Sequence, residues 1–171
     1  MAPTPRLAAI LLLRLGTLVF PLGLLATCLS PEASRPLAAR IIASYASCIL
    51  SFIGGLWQAA GLSEGVSRDS VLLVVGGIAI ALLSFVAALS SWVNHEVEED
   101  AGYAYLTLLA GLYGVIAVIE SKAEHIRCDK VQRVLLSAER APSMAVAAVT
   151  LVLVKQLLPP TALLEEENTP S

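Results

Sequence analysis

The stretch SVLLVVGGIAIALLSFVAALSSWVNH, residues 70–95, contains no Asp, Glu, Lys or Arg in 26 residues. A helix needs about 20 mostly apolar residues to cross a membrane, and uncharged apolar runs of this length are typical of such helices. The run is too long, and lacks the strict alternation, for a strand of a membrane barrel. It therefore predicts a transmembrane α-helix.

Four further runs without charge flank this stretch, and the charged residues lie between them. Together the runs predict a single all-α domain over residues 1–160, a polytopic membrane helix bundle with its second helix at the centre. The bundle has about five transmembrane helices, with predicted spans of about 15–30, 39–62, 70–93, 102–119 and 142–158.

The first and fifth spans each leave an alternative open. Arg14 either snorkels to the interface before a span at 15–30 or lies within a longer, tilted helix, and the cost of a mid-bilayer Arg favours the first reading. The fifth span is short and has Lys155 near its end. It crosses the membrane only if Lys155 snorkels, and the alternative is a re-entrant or interfacial helix.

The composition of the whole chain agrees with a lipid environment. Of 171 residues, 57% are hydrophobic and 15% are charged, and the mean hydropathy is +0.78. Soluble domains have roughly 45–50% apolar and about 25% charged residues. The net charge of −3 provides no basic excess for nucleic acid, so we predict the lipid bilayer as a partner and no nucleic-acid partner.

Most charged residues lie in two connecting segments. Residues 121–140 present an apolar face and a basic face, which predicts an interfacial amphipathic helix that is either a connector or a docking surface. We interpret the acidic stretch 95–100 as a solvated loop rather than a cation site. Residues 161–171 have three adjacent acids and no periodicity, and are predicted to be a disordered acidic tail.

The basic residues predict the orientation of the bundle. With five spans, eight of the eleven Lys and Arg residues lie on the side of the amino terminus. Positive residues favour the cytoplasmic side of a membrane, or the matrix side in mitochondria. We therefore expect the amino terminus on the cytoplasmic or matrix side.

Small and polar residues recur at steps of three or four in the second span, and again in the third. Lipid gives helices no hydrophobic reason to associate, so small residues that allow close backbone approach mark helix interfaces. We expect packing rather than a polar pathway, because these stripes contain no acid or base at mid-membrane depth. The candidate helix-packing or functional residues are Tyr45, Ser47, Ser51, Gly54, Gly55 and Gln58, and the third-span stripe is Gly77, Ala81, Ser84, Ala88 and Ser91.

The sequence contains no pattern typical of an enzyme or of a cofactor site. Cys28, Cys48 and Cys128 lack CxxC spacing, and His95 and His125 lie on opposite predicted sides of the membrane. Nucleophile-elbow, zinc-protease and phosphate-loop motifs are also absent from the sequence. We therefore predict no catalytic, cofactor-binding or metal-binding residues, no cofactor, and a protein that is not an enzyme.

Residues 45–55, YASCILSFIGG, resemble the hallmark of an uncharacterised small multi-pass membrane family, the one that contains transmembrane protein sixty-nine. Its members typically have a Tyr, an ILSFxGG-type motif and a nearby Trp. Trp57 stands one position before that usual Trp, where this chain has Gln58. Residues 15–26, LGTLVFPLGLLA, are similar to the family's first helix. The resemblance implies a bacterial or mitochondrial inner membrane and no known reaction, and it gives added weight to Tyr45, Ser51, Gly54 and Gly55.

These observations predict a non-enzymatic multi-pass integral membrane protein, a structural or accessory component of an inner-membrane assembly. Its expected partners are other membrane-protein subunits or a second copy of itself. The alternative is a small-solute carrier or channel that acts as an oligomer. That alternative requires a wet path lined by Ser47, Ser51 and Gln58.

Overall fold

The computed structural model describes residues 5–63, 68–93, 103–122 and 140–158, which are helical over most of their length and contain no strand. The predicted all-α class is confirmed for this part of the chain. A short 3₁₀ turn, Glu32–Ser34, joins the first two α-helices. The α-helices are α1 (Pro5–Leu29), α2 (Arg35–Ser63), α3 (Arg68–Val93), α4 (Ala104–Ser121) and α5 (Ala141–Gln156).

Three helical segments are long and apolar enough to cross a membrane, namely Glu32–Leu62, Ser70–Trp92 and Ala104–Ser121. Segments Gly16–Leu29 and Ala141–Gln156 are apolar but shorter. Since a span requires about 20 residues at 1.5 Å per residue, the three longer segments indicate a membrane protein.

The helix boundaries differ from the predicted spans mainly at α1. This helix begins at Pro5, ten residues earlier than predicted, so Arg14 lies within it. Proline is favoured at the first helical position because its missing N–H is not needed there. Of the predicted amphipathic helix at 121–140, only the two ends are described, and its remainder lies outside the described residues, as do the 95–100 loop and the 161–171 tail.

The helices pack as two antiparallel hairpins, α2 with α3 and α4 with α5, and these two pairs have the most extensive contacts. Helix α2 runs parallel to α4, while α1 lies against α2 and α5. Helix α2 therefore contacts each of the other described helices, which agrees with its predicted central position.

The outer surface of the bundle is mostly apolar. Such wide apolar faces are unfavourable in water but suit lipid, where they need no protein partner. Helix α3 shows this most clearly, because the large side chains of Val71, Leu72, Val75, Ile78, Leu82, Phe85, Val86 and Leu89 are exposed.

Candidate functional site

The backbones of α2 and α3 come into direct contact at two glycines. A Cβ atom added to Gly54 would lie 2.5 Å from the carbonyl oxygen of Gly77, and a Cβ on Gly77 would collide with the carbonyl oxygen of Gly54. Only glycine permits so close an approach. The predicted packing role of these two small residues is therefore observed in the structure.

Hydrogen bonds extend this α2/α3 seam, which we define as the line of contact from Ser44 to Gly61 on α2. The Ser84 hydroxyl donates to the carbonyl of Ala81 at 2.9 Å, so Ser51 is the donor in the 2.9 Å bond between the Ser51 and Ser84 hydroxyls. Nearer the start of α2, the indole N–H of Trp92 donates to the Ser44 hydroxyl at 3.1 Å. The two helices are thus held by polar contacts as well as by close packing.

The remaining stripe residues of α2 occupy different environments. The side chain of Gln58 lies against Gly77. Ser47 is buried, and its hydroxyl has no hydrogen-bond partner among the described residues. Gly55 is exposed, and no described atom would lie within 4 Å of a Cβ there. The expectation that Gly55 packs closely with Ser51 is therefore wrong within this chain, because adjacent residues point about 100° apart on a helix and only Gly54 faces α3.

Tyr45 ties α2 to α1. Its hydroxyl donates to the carbonyl of Gly16 at 2.8 Å, and its ring meets that of Phe20 edge-on with centroids 5.6 Å apart. Phe20 also contacts the ring of Tyr113 at 5.5 Å, and the Tyr113 hydroxyl donates to the carbonyl of Ala46 at 2.9 Å. This aromatic cluster joins α1, α2 and α4. The hydrogen bond expected of Tyr45 at the outer interface is thus made to a neighbouring helix.

A buried ion pair, absent from the sequence-based candidates, lies at the opposite end of the bundle. The Glu120 carboxylate is fully buried, Arg140 is only 6% exposed, and Arg140 Nη2 lies 3.0 Å from Glu120 Oε1. The indole N–H of Trp57 also points to Oε1, at 3.5 Å. The three side chains come from α4, α2 and the residue preceding α5, so this cluster joins three elements of the fold.

The pair is enclosed but incompletely hydrogen-bonded. Glu120 Oε2 and Arg140 Nε have no hydrogen-bond partner among the described residues. Burial lowers the pKa of the Arg140 guanidinium from its ordinary value and the neighbouring carboxylate opposes that shift, but an arginine remains charged in proteins. The pair therefore neutralises two charges that would be costly to bury separately.

The sequence analysis assigned Glu120 and Arg140 to the charged connector, and its statement that the packing faces hold no ionisable group needs correction. Glu120 directly follows the apolar run of α4, and Arg140 directly precedes that of α5. In an antiparallel helix pair these positions face each other. Opposite charges immediately flanking two consecutive spans are the sequence signal that would have indicated the contact.

The described part of the chain contains no group of three or more His, Cys, Asp or Glu residues suited to a metal ion. Cys28 and Cys48 are free thiols on the exposed surface. No family model, curated protein or solved structure matches the chain. Its function must therefore be argued from the contacts described above.

Proposed function

We propose that this protein is a non-enzymatic multi-pass integral membrane protein that acts as a structural or accessory component of a membrane assembly. The observation that best supports this proposal is the closed α2/α3 seam. The backbones of Gly54 and Gly77 are in contact there, and the hydroxyls of Ser51 and Ser84 bond to each other. The small residues thus serve contact between helices, which is what a scaffold requires.

The alternative of a small-solute carrier or channel needs a wet path along Ser47, Ser51 and Gln58. Ser51 is bonded to α3, and Gln58 packs on the backbone of Gly77. Within one chain, such a path forms only if the seam opens and these contacts break. A carrier therefore requires an oligomer that rearranges α2 and α3.

The inner membrane of bacteria or mitochondria is the membrane that we propose, with the amino terminus on the cytoplasmic or matrix side. The support for this placement is the excess of basic residues on that side and the resemblance of residues 45–55 to the inner-membrane family. The three long apolar segments support membrane residence in general.

Purification in mild detergent, followed by mass spectrometry and native gel analysis, tests the accessory role. We expect other membrane proteins in stoichiometric amounts, or a homo-oligomer if the partner is a second copy. Recovery as a monomer alone from its native membrane would contradict the proposal.

Gly55 offers a sharper variant for the same experiment. Gly55→Leu adds a large side chain to an exposed position with open space, so it should leave the fold intact while blocking a partner that packs there. Gly111 on α4 is a matched control, since it is also exposed and lacks a described atom within 4 Å of an added Cβ. We expect Gly55→Leu to reduce recovery of the partner and Gly111→Leu to leave it unchanged; equal recovery from both variants would remove Gly55 from the interface.

Reconstitution into liposomes tests the carrier alternative. Flux of small solutes above that of empty vesicles, abolished by a disulfide between Ser51→Cys and Ser84→Cys that locks the seam, would favour a carrier over the accessory role. The native thiols Cys28 and Cys48 are exposed and are replaced by serine in this experiment. Absence of flux in fully oriented proteoliposomes agrees with our proposal.

A further inference from the structure

Helix α5 is short for a membrane span. Its 16 residues extend about 24 Å at 1.5 Å per residue, whereas the hydrocarbon layer is about 30 Å thick. It is also bounded by charge, with Arg140 directly before it and Lys155 in its last turn. A helix with these properties inserts weakly by itself, so its position depends on its neighbours.

Both ends of α5 are attached to α4. At one end the Arg140 guanidinium lies 3.0 Å from the Glu120 carboxylate, and at the other the Lys155 ammonium donates to the Thr107 hydroxyl at 2.7 Å. Between these points one face of α5 is buried, through Met144, Ala147, Leu151 and Val154. The two helices therefore form a hairpin that is fastened at both ends.

The two fastenings differ in what would happen if they broke. Lys155 is exposed, so its ammonium group can be solvated without Thr107. Arg140 is only 6% exposed and Glu120 is fully buried, so each charge depends on the other while α5 is docked. If α5 leaves α4, both charges can enter water and neither needs a partner. The ion pair therefore matters in the docked state only.

We propose that the Glu120–Arg140 ion pair is a topological lock, which holds α5 against α4 and thereby decides that α5 crosses the membrane. This inference rests on the membrane-spanning part of the proposed function and on no particular partner. With the lock intact the two ends of the chain lie on opposite sides of the membrane. When one charge of the pair is removed, the docked state retains an unpaired buried charge, and α5 stays on the side of the amino terminus.

Protease protection of a doubly tagged full-length chain tests the lock. The chain carries different epitope tags at its two termini and is translated without cells in the presence of sealed membrane vesicles, so a variant that does not fold stably still reports its topology. For the natural sequence we expect the two tags on opposite sides. For Glu120→Gln and for Arg140→Gln we expect the ratio of crossed to uncrossed chains to fall at least about tenfold.

These two variants also separate the lock from the general bias of basic residues. Glu120→Gln makes the side of the amino terminus more positive and Arg140→Gln makes it less positive, so a topology governed by that bias would respond to them in opposite directions. The lock predicts the same direction for both. Opposite responses would overturn the proposal.

Restoring variants complete the test. The exchange Glu120→Arg with Arg140→Glu keeps the net charge and the pair, and Glu120→Leu with Arg140→Met removes both charges; we expect both double variants to return the tags to opposite sides. The exposed pair Glu32 and Arg35, 3.5 Å apart, is the control, and Glu32→Gln should change nothing.

Three results would refute the lock: tags on the same side for the natural sequence, unchanged topology in both single variants, or no restoration by the exchange. Alkaline extraction of the same translation products reports whether the chain enters the membrane at all. A chain removed by alkali would contradict the proposed membrane function, whereas a chain that is retained with the wrong topology contradicts only the lock.

Discussion

Alanine at Gly54 and at Gly55 should have opposite effects on the stability of the fold, although the two glycines are adjacent. At Gly54 the new Cβ would lie 2.5 Å from the carbonyl oxygen of Gly77, while ordinary contact begins at 3.4 Å. The neighbouring atom belongs to the backbone and has no flexible end that can move aside. Helices α2 and α3 must therefore separate by about 1 Å, the difference between a collision and a normal contact.

The separation has a cost that follows from the seam. Overpacking of this kind costs about 1–3 kcal/mol. An added 1 Å would also stretch the 2.9 Å contact between Ser51 and Ser84 beyond hydrogen-bond range, with a loss of about 0.5–1.5 kcal/mol. Replacing glycine by alanine in a helix returns about 1 kcal/mol at either position. Gly54→Ala should therefore destabilise the protein by about 1–3 kcal/mol, and Gly55→Ala should be neutral or stabilising.

Thermal or denaturant unfolding of the two purified variants in the same detergent measures this difference, which we expect to be about 2–4 kcal/mol in favour of Gly55→Ala. Gly77→Ala provides a second check, because its Cβ would meet the backbone of Gly54 from the other side and should reproduce the effect of Gly54→Ala. Equal stability of the two variants, or a lower stability of Gly55→Ala, would refute the assignment of Gly54 to the seam.

Three further changes test other contacts between helices, each by unfolding in detergent. Gly23→Leu should destabilise by about 1–3 kcal/mol, because an added Cβ would lie 2.6 Å from Ile42 Cγ1, and Ile42→Ala should restore part of the loss; additive losses would contradict the contact. Tyr113→Phe removes the 2.9 Å bond to the Ala46 carbonyl and should cost about 0.5–1.5 kcal/mol, so an unchanged unfolding midpoint would show that the bond contributes nothing. Lys155→Gln alters only an exposed contact and should change stability by less than about 0.5 kcal/mol, and a larger loss would mean that this end of α5 is held as firmly as the other.

Much of the helical organisation could be predicted from local sequence. Long uncharged runs mark the helices because a charge inside lipid is expensive wherever the chain goes, so the rule acts on each segment independently of the others. The third-span stripe was also predictable in part, since Gly77, Ser84 and Ser91 are buried. Small residues at helical spacing identify a packing face even when the partner helix is unknown.

The exact contact face of α2 was not predictable from spacing. Gly54 and Gly55 both fit a pattern with steps of three and four, and they differ only in where α3 lies around the helix. Tyr45 likewise has a hydroxyl that many partners would satisfy, and its choice of the Gly16 carbonyl depends on the approach of α1. These outcomes are set by neighbours 23 or more residues away in the chain.

By itself, the sequence determined the solvent of this protein, the number and rough limits of its apolar helices, and the residues suited to close packing. The tertiary structure decided which of those residues meet, and it turned Glu120 and Arg140 from the ends of a charged connector into a buried pair beside Trp57. The physical reason is one of range. Transfer into lipid is a property of each segment, whereas burying a charge depends on the opposite charge that a different helix brings to it.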